Sequence, residues 1–102
     1  MEDLQIETVM NIIAYAGNAK SEGMEALQNA KKGDFEKARE HLESANKFLT
    51  EAHNLQTKLL TEEAGGKKFE VNLLTVHSQD HLMNTITFLD LVSEIISILE
   101  DK

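Results

Sequence analysis

Residues 32–59 of the chain read KGDFEKAREHLESANKFLTEAHNLQTKL, and two columns of residues recur in them every seven positions. The first column is Phe35, Leu42, Leu49 and Gln56, and the second is Ala38, Ala45, Ala52 and Leu59. A seven-residue repeat is typical of a helix that packs against other helices along a coiled-coil-like seam. Gln56, the one polar member, is either a device that fixes the register or part of a buried polar site.

Gly33 and Asp34 separate this helix from a second helical pattern upstream. Glycine suits the left-handed conformation that ends a helix, and aspartate suits an N-cap, where its carboxylate accepts from free backbone amides. From Ile6 to about Lys31, apolar residues recur at the three-and-four spacing of an amphipathic helix. We therefore predict two helices joined in a tight antiparallel hairpin. Gly17 and Gly23, within the first helix, indicate either the close approach of a neighbouring helix or mere tolerance.

A third helix is predicted from about Asn72 to the end of the chain, after a loop over residues 61–68. Its later part, residues 88–99, reads FLDLVSEIISIL and is apolar around most of its circumference. Such a helix must be buried on several sides, whereas a three-helix bundle gives it only two neighbours. We predict a single all-α domain over residues 1–102, a three-helix antiparallel bundle that associates with copies of itself through the third helix.

The composition argues against several classes of function. The formal net charge is -8 and Arg39 is the only arginine, so nucleic acid is not an expected partner. The absence of cysteine removes disulfides, thiolate catalysis and zinc–thiolate sites, which fits a reducing compartment. The first residues do not resemble a signal peptide, and no span approaches the roughly 20 apolar residues of a membrane helix. We expect a cytoplasmic protein with no direct membrane insertion.

Residues 73–84, LLTVHSQDHLMN, place polar and ionisable groups where the helical pattern requires core residues. His77, Asp80, His81 and Asn84 fall at intervals of three and four, so they share one face of a helix. Departures from patterning of this kind often mark functional sites.

Three chemical interpretations of this face remain open. His77 and His81, four residues apart, resemble half of a metal site, but no glutamate follows the first histidine and no third ligand is evident. A histidine that is simply hydrogen-bonded to a neighbouring carboxylate would be structural. In the third interpretation His77 is a nucleophile, because the lone pair of a neutral imidazole nitrogen can attack phosphorus. Donors to the phosphoryl oxygens could then come from Thr75, Ser78, Gln79 and Gln56.

Residues 74–83, LTVHSQDHLM, closely resemble the V-H-A-Q-D-H-L-M segment of the lactose/cellobiose/diacetylchitobiose-type enzyme IIA of the phosphotransferase system. Ser78 stands where alanine is common in that family. Residues 51–60, EAHNLQTKLL, and residues 30–35, AKKGDF, give a second and a third match. The resemblance covers nearly the whole chain.

The resemblance implies a phosphoryl carrier of the bacterial sugar phosphotransferase system. His77 matches the histidine that accepts a phosphoryl group from phospho-HPr and passes it to a cysteine of enzyme IIB, for uptake of lactose, cellobiose or chitobiose. A homotrimer is also implied, with Asp80 matching the aspartate that holds one Mg²⁺ ion on the three-fold axis. The supporting residues around His77 would be Gln56, Ser78, Gln79 and His81.

Two other functions remain open at this point. A histidine phosphotransfer module of two-component signalling also presents a histidine on a helical bundle, but its characteristic lysine and glycine do not follow His77 here. A purely structural oligomerisation bundle would satisfy the seven-residue repeat alone. The sugar is not specified by this sequence, because a IIA domain contacts proteins and the membrane subunit recognises the sugar.

Overall fold

The computed structural model describes residues 2–102, and over that range it contains three α-helices and no β-strand. Helix α1 is Asp3–Lys31, α2 is Phe35–Ala64 and α3 is Leu73–Glu100. They form an elongated bundle that measures 51 × 20 × 19 Å. The predicted all-α fold of three helices is confirmed.

The turn between α1 and α2 has the geometry that its residues predict. Gly33 has a φ of +85°, which residues with a side chain rarely adopt, and its amide donates to the Ala30 carbonyl oxygen at 3.0 Å. Asp34 Oδ1 accepts a hydrogen bond from the Lys37 amide at 3.1 Å and so caps α2. The two helices therefore run antiparallel from a short, well-defined connection.

The connection between α2 and α3 starts later than predicted. Residues Thr61–Ala64 belong to α2, so the loop covers residues 65–72 instead of 61–68. The reason is that the glycine pair ends the helix: Gly66 has a φ of +106°, while the residues before the pair are compatible with helix. Asn72 Oδ1 accepts from the Thr75 amide at 2.9 Å, which caps α3 at the predicted position.

The core of the bundle combines small residues of α1 and α2 with larger residues of α3. The alanine column predicted for α2 is buried, with Ala38, Ala45 and Ala52 fully inaccessible to solvent. Facing them are the buried α3 residues Leu82, Leu89, Val92 and Ile96. Small residues on two helices let the third approach closely, so the bundle is narrow.

Of the two glycines in α1, Gly23 is the one at which a side chain would force its neighbours to shift. A Cβ atom on Gly23 would lie 2.5 Å from Leu89 Cδ2 and 3.0 Å from Phe88 Cε2. A Cβ atom on Gly17 would lie 3.5 Å from His81 Nε2, an ordinary van der Waals distance. Close approach explains Gly23, and tolerance suffices for Gly17.

Helix α3 packs chiefly against α1 and contacts α2 least. The side of α3 that faces away from α1 leaves six large apolar side chains between 42% and 86% exposed, here named the outer stripe: Leu73, Val76, Met83, Leu91, Ile95 and Ile98. The bundle formed by one chain therefore leaves much of this helix uncovered, as its composition predicts.

Within residues 2–102, α3 is also the one helix that is long and apolar enough to cross a membrane. An 18-residue stretch of it has a mean hydropathy of 1.6, and 28% of that stretch is buried within the chain. The expectation that no span approaches membrane-spanning composition was therefore wrong, because charged residues are few on α3. A helix that is buried between protein subunits has the same composition, so this property alone does not distinguish the two settings.

Candidate functional site

His77 lies near the start of α3, with an exposed side chain in a shallow open hollow that Leu73 and Leu74 also line. Its ring stacks on the ring of His81, with centroids 5.9 Å apart and planes 6° from parallel. His81 is half-buried, and its Nε2 atom approaches Gly17 of α1. The four-residue spacing on one helix thus brings the two imidazoles together, and α1 supports the inner one.

The surroundings of His77 differ from those of a structural histidine. Across residues 2–102, no carboxylate forms an ion pair with its ring, and the ring is open to solvent. His41 shows the contrasting arrangement, because its Nδ1 atom lies 2.6 Å from Glu22 Oε2 between α1 and α2. Within one chain, His77 is therefore neither an interior residue nor paired with a carboxylate. Its accessible ring nitrogen is suited to nucleophilic attack.

Asp80 points to the opposite side from the core. It is exposed, and Asn84 Nδ2 donates to its Oδ1 at 3.4 Å. Since Asp80 falls four residues after Val76 and three before Met83, it interrupts the outer stripe. The polar face predicted from spacing is thus divided, with His81 turned towards α1 and Asp80 turned away from the bundle. In the described part of the chain, no three histidine, aspartate or glutamate side chains are grouped to hold a metal ion.

The other predicted site residues form a hydrogen-bonded chain beside His77. Gln56 Nε2 donates to Gln79 Oε1 at 2.6 Å, and Gln79 Nε2 lies 3.5 Å from Ser78 Oγ. Ser78 is fully buried, and its hydroxyl donates to the Thr75 carbonyl oxygen at 2.7 Å. Gln56 therefore joins α2 to α3, which accounts for a polar residue in the seam. This chain lies on the core side of α3, whereas the His77 ring is on its solvent side.

Gln5 is a polar residue of this region that sequence reasoning missed. It is 5% exposed, its Nε2 donates to the Glu70 carbonyl oxygen at 2.9 Å, and its Oε1 accepts from the Glu70 amide at 3.3 Å. A signal was present, because Gln5 precedes Val9 by four residues and so shares the core face of α1. A polar residue on such a face needs a hydrogen-bonding partner.

Comparison with known proteins gives consistent matches to one family. The model of the lactose/cellobiose-specific IIA subunit of the PTS system matches residues 7–100. The lichenan-specific phosphotransferase enzyme IIA component of Bacillus subtilis (strain 168) is 46% identical over 100 residues, which cover 98% of this chain and 91% of the relative.

Solved structures agree with this match. The crystal structure of the PTS cellobiose-specific enzyme IIA from Bacillus anthracis has a TM-score of 0.94 and 40% identity, covering 99% of this chain and 93% of that one. The solution structure of the IIA(chitobiose)–HPr complex of Escherichia coli has a TM-score of 0.83 and 40% identity, covering 99% and 97%.

These matches cover all three helices and the segment that carries His77. They set aside the two-component phosphotransfer module and the purely structural bundle, because the matched proteins are phosphotransferase components. The chain belongs to the lactose/cellobiose-specific IIA family of the phosphotransferase system and is a phosphotransferase component of sugar uptake.

Proposed function

We propose that His77 carries the phosphoryl group, which it accepts from phospho-HPr and passes to a cysteine of enzyme IIB in the cytoplasm. The observation that carries this proposal is the exposed His77 ring in an open hollow, stacked on His81. Support comes from the chitobiose-specific relative, whose structure was determined in complex with HPr. Proteins of this family are soluble phosphoryl carriers, so the apolar composition of α3 is assigned to protein contacts.

Phosphoryl transfer requires only that the His77 ring be accessible and correctly oriented. The lone pair of a neutral His77 ring nitrogen attacks phosphorus, and a P–N bond forms as the bond between phosphorus and HPr breaks. In the second half-reaction, the cysteine thiolate of IIB attacks the same phosphorus. A P–S bond forms as the P–N bond breaks, and His77 leaves with its lone pair restored. The parallel His81 ring, with its centroid 5.9 Å away, would help to orient the His77 ring in both half-reactions.

The transported sugar is proposed only as a class, a β-linked disaccharide such as lactose, cellobiose or chitobiose. The relatives bear names that specify lichenan, cellobiose and N,N'-diacetylchitobiose. Identities of 41% to 51% to components with different sugars do not favour one of them. This fits a domain whose reacting group meets other proteins and not the sugar.

We also propose a homotrimer around α3 in which three copies of Asp80 converge on one Mg²⁺ ion. Two observations support it: the outer stripe is large and uncovered, and Asp80 lies within it. One chain supplies a single carboxylate there, next to the Asn84 amide. Three copies would supply the oxygen ligands that Mg²⁺ prefers, and the cation would offset the repulsion among the carboxylates.

The test of the carrier role is phosphorylation in a reconstituted system. Incubation with phosphoenolpyruvate, the general phosphotransferase enzyme and HPr should add one phosphoryl group to the chain, in an acid-labile and alkali-stable linkage. His77→Ala should abolish this addition and leave the helical circular dichroism unchanged. The matched control is His53→Ala, which removes an exposed histidine of α2. This variant should still accept one phosphoryl group. Labelling of the His77→Ala variant at His41, His53 or His81 would refute the assignment.

A further inference from the structure

The connection between α2 and α3, residues 65–72, has no secondary structure of its own and is held against the start of α1 by side-chain contacts, among them an ion pair in which Lys67 Nζ lies 3.8 Å from Glu2 Oε2. The Gln5 carboxamide makes two hydrogen bonds to Glu70, one to its carbonyl oxygen and one from its amide. This is the pairing that a neighbouring β-strand would offer to Glu70. Gln5 and Glu70 are 65 positions apart in the sequence, so the pair closes the connection onto the start of α1.

The same carbonyl group also receives a donor from α3. Thr75 Oγ1 donates to the Glu70 carbonyl oxygen at 3.2 Å, and Ser78 Oγ donates to the Thr75 carbonyl oxygen at 2.7 Å. The contacts of Ser78 with Gln79, and of Gln79 with Gln56, continue the series to α2. Hydrogen bonds thus connect α1, the connection, α3 and α2 in that order. They involve Thr75, which precedes His77, and Ser78, which follows it.

Apolar packing does not fix this part of α3 by itself. A hollow of about 160 Å³ lies between the start of α3, the end of α2 and the connection, and Gln5, Gln56, Thr75 and Gln79 are among its lining residues. Side chains that border such a space have fewer close neighbours than those of a filled core. Leu59 and Phe69 also line this hollow, so the hydrogen bonds act together with apolar contacts to position the first turns of α3.

We propose that Gln5 is a positioning residue for phosphoryl transfer, because it holds the segment from which His77 projects. The proposal rests on the proposed role of His77 as carrier. Gln5 is buried on the core side of α1, so a partner protein cannot contact it directly. Its loss should lower the maximal rate of transfer to His77 and leave the half-saturating concentration of phospho-HPr unchanged, since binding and orientation are separate requirements.

The test compares Gln5→Met with Gln28→Met in the full chain. Methionine keeps the length of glutamine and favours helix, but it cannot pair with the Glu70 backbone. Gln28 is an exposed residue of α1 at the other end of the bundle, so its variant controls for the chemical change alone. We expect a maximal rate of phosphorylation by phospho-HPr that is lower by about tenfold in Gln5→Met and unchanged in Gln28→Met.

Amide hydrogen exchange provides a second readout that needs no variant to fold. The Glu70 amide should exchange slowly in the wild type although it lies outside the helices, and rapidly in Gln5→Met. Rapid exchange at Glu70 in the wild type would overturn the proposal. A Gln5→Met variant that transfers at the rate of Gln28→Met would also overturn it. A wild type that accepts no phosphoryl group at His77 would instead contradict the proposed function.

Discussion

Gly23 shows how much one missing side chain contributes to this bundle. In α1 it sits where Leu89 and Phe88 of α3 come closest, and the space for a Cβ atom is already filled. Gly17, about one and two-thirds turns earlier in the same helix, has room for a methyl group beside His81. Two glycines with the same cost in helix propensity therefore differ in whether α3 would have to shift to admit a side chain.

Gly23→Ala should therefore be less stable than Gly17→Ala. Alanine improves helix propensity by about 1 kcal/mol at both positions. At Gly23, overpacking against Leu89 should cost about 1–3 kcal/mol, which cancels or exceeds that gain, whereas Gly17→Ala should be neutral or stabilising. Urea unfolding at one protein concentration measures both variants against the wild type. A Gly23→Ala variant more stable than Gly17→Ala would contradict the close approach of α1 and α3.

At the scale of the helices, contacts between residues close together in the sequence could be predicted, whereas contacts between distant segments could not. The caps at Asp34 and Asn72 act within three residues of themselves, so a short stretch of sequence contains both partners. The stacking of His77 on His81 follows from a four-residue spacing on one helix. The pairing of Gln5 with Glu70 joins distant segments, and nothing near either residue indicates the other.

The burial of Ser78 could not be predicted from the local sequence pattern either. Spacing places it on the helix next to His77, but it does not say which side of α3 meets α1. The structure turns Ser78 into the core and leaves His77 outside. A short polar segment can be recognised as a site from sequence, whereas the division of its residues between core and solvent depends on how the helices pack.

The outer stripe of α3 leads to a prediction about assembly. Leu91→Lys should dissociate the proposed trimer, because a lysine in the centre of an apolar contact must bury its charge. Leu60→Lys is the matched control, since Leu60 on α2 is 55% exposed and Leu91 is 58% exposed, but Leu60 lies outside the stripe. Sedimentation equilibrium should give three chain masses for the wild type and Leu60→Lys, and one for Leu91→Lys. A wild-type protein that is monomeric at micromolar concentration would contradict the proposed trimer.

For the whole molecule, two exposed polar residues of α3, His77 and Asp80, have different tasks in our proposal. His77 lies at the edge of the outer stripe, in an open hollow that Leu73 also lines, whereas Asp80 lies within the apolar surface that other copies would cover. The two residues are three positions apart, nearly one helical turn. Nearness in sequence therefore does not assign Asp80 to the transfer reaction.

Asp80→Leu should separate assembly from transfer. The variant should remain a trimer at least as stable as the wild type, because apolar packing often equals or exceeds a buried ionic arrangement in stability. A chelator should lower the thermal stability of the wild type and leave that of the variant unchanged. Phosphorylation of His77 by phospho-HPr should largely survive. A trimeric variant that has lost phosphorylation would show that Asp80 takes part in the reaction.

The hollow around His77 is shallow and open, with Leu73 and Leu74 at its edge. On the proposed mechanism each partner must cover it to reach the imidazole, so donor and acceptor exclude one another. Transfer is then a ping-pong exchange in which a large excess of either partner slows the other's half-reaction. On this mechanism, the fraction of chains that are phosphorylated on His77 depends on the rate of phosphorylation by phospho-HPr relative to the rate of transfer to enzyme IIB. We expect this fraction to be high when sugar is scarce and to fall when transport begins.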